Sequence, residues 1–167
     1  MLALPYSRCM RAISTRGIAS GTNPVLVALG GWLPPALLGS AGALLLLGVT
    51  DLALGLNPVD LTGTAAVSVL AVAAFTALAQ ALRVWLGLVG SAIMLVILIV
   101  QLGGAGGLYP VAVMPAFFQV VHPFLPMTYL VEALRVGITG GAQSQFAMGV
   151  MVLAGVLLVS LLATAIG

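Results

Sequence analysis

The side chains able to carry acid–base, nucleophilic or metal chemistry are few: the carboxylates Asp51, Asp60 and Glu132, one histidine (His122), one cysteine (Cys9) and no lysine. A Walker A loop needs its lysine on the phosphates, so this chain carries no ATP-hydrolysing site of that kind. One histidine excludes H-E-x-x-H metal sites. One cysteine excludes an intramolecular disulfide and a cysteine metal cluster. Proton and ion relays place ionisable groups at membrane depth, and here none falls in the middle of an apolar run. That disfavours a proton-coupled transporter and an intramembrane protease. No catalytic residue, cofactor or metal ligand is expected, and the chain is not expected to be an enzyme. His122, just before Pro123, reads as a helix-end or interface residue rather than a pH sensor.

The remaining polar groups suit positioning better than reaction. Gln101 stands just before Gly103, Gly104, Gly106 and Gly107, where a buried amide could cap a broken helix end or face a cavity. Thr76, Gln80 and Arg83 share one helical face. They border a polar pathway, or they make an interhelical hydrogen bond beside an inner-surface arginine; the second is the simpler reading.

The elements that hold these groups follow from composition. Hydrophobic residues make up 62% of the 167, charged residues 5%, and the mean hydropathy is +1.29. A soluble domain has about 25% charged residues, so this is an integral membrane protein, expected as an all-α polytopic helix bundle. The charges divide the chain into uncharged runs 17–50, 61–82, 84–131 and 136–167. A span needs about 20 apolar residues, which predicts four transmembrane helices at 26–49, 62–83, 86–106 and 144–166. Pro34 and Pro35 predict a kink in the first, with its straight part from Ala36. The second is alanine-rich, and small residues allow close helix contact in lipid, which places it centrally.

Val84 to Val131 holds 48 residues without a formal charge, too long for one span and too punctuated for two. A lipid-exposed helix cannot carry four glycines and then Pro110, Pro115, Pro123 and Pro126. Residues 108–141 therefore read as an external re-entrant hairpin. Its first short helix starts near Pro115 and ends at His122-Pro123. Its second starts at Pro126, carries Tyr129 and a pairable Glu132 and Arg135, and stops at Gly140-Gly141. Positive residues stay cytoplasmic, so Arg8, Arg11 and Arg16 place the N-terminus inside and Arg83 marks the next inner turn. The hairpin is then external and both termini are cytoplasmic, in a multi-pass cell-membrane protein. Residues 1–24 read as a cytoplasmic, modestly amphipathic segment, and 25–167 as the transmembrane domain. With arginines only at boundaries, no nucleic-acid partner is expected; the bilayer is the first partner.

Several of these segments resemble one family. Gln101-Leu-Gly-Gly-Ala-Gly-Gly-Leu-Tyr-Pro110, Met114-Pro-Ala-Phe-Phe-Gln119, His122-Pro-Phe-Leu-Pro-Met-Thr-Tyr129 and Glu132-Ala-Leu-Arg135 look like the C-terminal membrane domain of the phage-infection-protein (YhgE/Pip) family, within the type-2 ABC exporter membrane domains. Arg16-Gly-Ile-Ala-Ser-Gly21 and Ala28-Leu-Gly-Gly-Trp-Leu-Pro34 resemble its inner loop and following span. The resemblance implies a six-span half-transporter of which this chain supplies spans three to six, so a fragment or truncated frame is expected. It implies an ABC ATPase as a separate subunit docking near Arg8, Arg11 and Arg16, and pairing into a homo- or heterodimer of half-transporters. It assigns the external hairpin to Gln101, Gly103, Gly107, Pro110, Pro115, Pro123, Pro126, Tyr129, Glu132 and Arg135. The expected function is the permease part of an ATP-driven exporter. The alternative is a non-transporting membrane scaffold or surface receptor of the phage-infection or secretion-accessory type.

Overall fold

The computed structural model describes residues 24–107, 113 and 115–166. Arg8, Arg11, Arg16, Pro110 and the 1–23 segment lie outside them. The described elements are all helical: α1 (Pro24–Leu54), α2 (Leu61–Gly104), α3 (Ala116–Val121), a 3-10 turn (His122–Phe124), α4 (Pro126–Thr139) and α5 (Gln143–Ile166).

Three of these are long and apolar enough to cross a membrane: α1 from Ala28, α2 and α5. The expected second and third spans, 62–83 and 86–106, both fall on the 44 residues of α2, the latter running two residues past its end. That helix is not straight. Gly87 leaves helical geometry at φ 58°, ψ −129°, a conformation close to the first central residue of a II′ turn and open to glycine. Beyond it Gly90 abuts the Leu82 carbonyl so closely that a Cβ there would collide with it. In a straight helix residues eight apart are separated by about 12 Å, so the chain doubles back. Arm one is 61–86 and arm two is 88–104.

Arm one is the central strut. On one side it is stapled to antiparallel α1: Gln80 Nε2 donates to the Ala28 carbonyl at 2.8 Å, and Trp32 Nε1 to the Ala73 carbonyl at 3.0 Å and Thr76 Oγ1 at 3.2 Å. The Thr76–Gln80 face thus makes interhelical hydrogen bonds. Gln80 Oε1 is buried without a partner. On the other side α5 runs parallel to arm one: Phe146 meets Gly63 near the start of both, and Trp85 Nε1 donates to the Ala163 carbonyl at 2.9 Å near their ends. α1 continues as helix through Pro34 and Pro35. The two prolines remove only the bonds to Gly30 and Gly31 and leave the rest of the ladder intact.

Val67, Ala71 and Ala74 of arm one, Leu130 and Ala133 of α4 and Leu153 of α5 form the core. Lipid supplies no hydrophobic drive between helices, so close backbone approach must hold them. Gly149 of α5 lies against Ala133 and the Tyr129 carbonyl, and Gly137 of α4 lies against Thr64. The outer surface is the reverse of a soluble protein's: Leu38 is 76% exposed, Leu52 and Leu88 88%, Ile166 78%. Arm two buries only Gly90, Met94, Gln101 and Gly104, a stripe at helical spacing, and exposes most of the rest.

Candidate functional site

Where arm two ends, its last carbonyls have no partner in the next helical turn, and where α4 begins its first N–H groups have none either. In lipid each such orphan costs several kcal/mol. Pro126 opens α4 without an N–H to satisfy, and its N-cap Leu125 has no side chain that can cap. Met127 then carries the first exposed amide. Gln101, 1% exposed in the last turns of arm two, accepts that amide on Oε1 at 3.2 Å. The glutamine expected to cap a broken helix end does cap one, but the end belongs to α4 rather than to its own helix.

The exchange is reciprocal. His122 Nδ1 lies 2.6 Å from the Gly104 carbonyl. A carbonyl only accepts, so Nδ1 carries the proton and the histidine closes the end of arm two. Thr128 Oγ1 donates to the His122 carbonyl at 2.8 Å and sits 3.3 Å from Nδ1. Its single proton being used, it faces the imidazole as an acceptor. Tyr129 Oη donates to the Pro123 carbonyl at 2.9 Å, which ties the first turn of α4 to the 3-10 turn.

Sterics hold the same junction. A Cβ on Gly104 would come within 2.6 Å of Leu125 Cδ1 and 3.2 Å of Phe118. Gly103 faces Phe118 more loosely, and Gly107 faces Val131. Phe118 stacks edge-on with Phe117, ring centres 5.4 Å apart. Pro115 is the N-cap of α3, and Pro123 lies in the 3-10 turn that ends it. Of the expected hairpin residues, then, Gln101 and Gly103 meet the segment 118–128, as does their neighbour Gly104, which is not among them. Glu132 and Arg135 do not join them. Glu132 is half-buried and Arg135 exposed, and among the described residues no ion pair within 4.0 Å links the two. Spacing made that pair possible, but for a solvent-accessible arginine it gains too little to fix a geometry.

α4 is held at its other end as well. Val59 N donates to the Ile138 carbonyl at 3.2 Å and Asp60 N to the Gly137 carbonyl at 2.9 Å. These bonds satisfy the last turn of α4, which Gly140 stops at φ 78°. Asp60 is in turn the N-cap of α2, accepting from Gly63 N at 2.9 Å and Thr62 Oγ1 at 2.8 Å. The bond from Gly63, and then that from Thr62, hold its carboxyl below the ordinary carboxylate range.

Sequence reasoning missed Thr128 and the Val59–Asp60 clip. A threonine two residues after Pro126 is a legible capping signal, but its acceptor is set by the turn. The clip uses backbone only and leaves no trace in side-chain types. As a whole this site consists of hydrogen bonds between helix ends. It positions the short helix α4 against arm two.

Over 68 residues the chain is 43% identical to the uncharacterized protein YhgE of Bacillus subtilis (strain 168), a match covering 41% of this chain and 9% of that protein. The chain thus matches about a tenth of its relative's length. No family model and no solved structure matches. The similarity supports a relationship between this membrane protein and YhgE.

Proposed function

We propose that this chain is the membrane-spanning permease part of an ATP-driven exporter of the type-2 ABC class. In this reading the two arms of α2 are separate crossings, giving four with α1 and α5, and both termini are cytoplasmic. A separate ATPase docks on the segment carrying Arg8, Arg11 and Arg16. Two half-transporters pair around a pathway, and the hairpin α3–α4 closes its outer end. The observation that supports this most is α4, a short helix packed between arm one, arm two and α5. A helix of 14 residues is about 21 Å long, too short to cross. Holding it in the bundle requires the dedicated end bonds described above, an arrangement suited to an outer gate.

The test is co-purification. The full-length protein, extracted in mild detergent, is expected to bring down an ABC ATPase, and Arg11→Glu with Arg16→Glu to abolish that association without changing expression. An unchanged complex in the double variant, or no ATPase in either sample, rejects the coupling role and leaves the scaffold or receptor as the better account.

A further inference from the structure

Three struts in this bundle form a closed figure. Arm one runs from Thr64 to Leu86, arm two returns from Leu88 to Gln101, and α4 joins their far ends. Gln101 bonds Met127 at one corner, and Thr64 meets Gly137 at another. The third corner is Gly87. Without the turn, Thr64 and Gln101 would be about 55 Å apart, while Met127 to Gly137 spans about 15 Å. The figure therefore closes only because arm two folds back, and α4 is its third side.

The corners differ in kind. At Gly87 the chain is continuous and the residue is free to take a positive φ. At Gly137 the join is two backbone–backbone bonds from Val59 and Asp60, beneath a tight contact with Thr64. At Gln101 it rests on side chains: the carboxamide to Met127 N, and the imidazole to Gly104 O, supported by Thr128. Glycines with positive φ, Gly106 and Gly140, flank the connecting segments. We infer that the Gln101–His122–Thr128 corner is a releasable latch that holds arm two against α4, with Gly87 as the hinge on which arm two swings when it opens. Gln101 and His122 are positioning residues in this device, and it stands whether or not the chain is part of an exporter. Opening separates arm two from the arm one–α4–α5 body and leaves the backbone clip intact.

The distance between the outer halves of the two arms tests this. Spin labels go on Ala66→Cys and Ile99→Cys, both outward-facing, in a Cys9→Ser background of the full chain in lipid nanodiscs. A single distance distribution is expected with the latch intact. Gln101→Leu and His122→Ala are each expected to add a longer component. His122→Asn, whose Nδ2–H replaces the Nδ1–H donor, is expected to restore the single distribution. Amide exchange is read alongside: Met127 is expected to lose protection in Gln101→Leu while Val59 and Asp60 keep theirs. Unchanged distances in both latch variants overturn the inference. So does failure of His122→Asn to restore, or loss of the clip's protection together with the latch's, since either means general loosening of the bundle.

Discussion

At the scale of the residue, glycine divides into two uses that substitution separates. Gly149 faces a backbone oxygen and the Ala133 methyl, each 2.7 Å from where a Cβ would sit. Gly149→Ala is therefore expected to cost about 1–3 kcal/mol through forced displacement. Gly155, on the same helix, has nothing within 4 Å, and Gly155→Ala is expected to be neutral or to stabilise by up to about 1 kcal/mol through helix propensity. Thermal unfolding of the two variants in one detergent checks the contrast. Asp60 gives a pH prediction. Its folded carboxyl titrates below the ordinary value of 3.8, so its contribution is complete above that value and is lost as pH falls through the folded one. The melting temperature is expected to drop below about pH 4. Asp60→Asn caps as well as aspartate and is expected to remove this part of the drop.

Between elements, polar staples and close packing divide the work. Gln80 keeps one hydrogen bond to α1 and leaves Oε1 buried and unpaired. A lone buried acceptor costs about as much as one bond gains. Gln80→Met is thus expected to change stability by less than about 1 kcal/mol, because Ala28 O keeps its helical partner. Leu153 is fully buried between α4, α5 and arm one, and Leu153→Ala is expected to cost about 2–5 kcal/mol. Urea or thermal titration of both variants ranks them. The alanine-rich helix could be placed centrally from composition alone, because only small residues admit partners on several sides. The partner of Gln101 could not be read that way. A carboxamide next to a glycine run predicts a cap, but which helix end it reaches depends on the return of a segment more than 20 residues later.

For the whole molecule, the turn at Gly87 is the decisive event. It converts one continuous stretch of helix into two arms and brings Gln101 back toward the end of the bundle where α4 begins. Gly87→Ala places a side chain at φ 58°, a strain of about 1–3 kcal/mol. The expected outcome is a lower melting temperature together with reduced exchange protection at Gly90 and Met94. Protection at Ala71 and Ala74 is expected to remain, since those residues pack on α4 and α5 rather than on arm two.

The sequence by itself determined the solvent of this protein and the rhythm of its helices. A chain with 5% charged residues can cover itself only with lipid, and in lipid the backbone must close its own hydrogen bonds. Glycine and proline then mark where helices stop, which is why the two short helices were legible. Tertiary structure alone decided which orphaned helix ends meet. Those bonds join groups far apart in the chain, such as Gln101 with Met127 and Asp60 with Gly137, and partly use backbone atoms that every residue shares. Residue type therefore marks that a helix end needs a partner, and only the packed bundle supplies its identity.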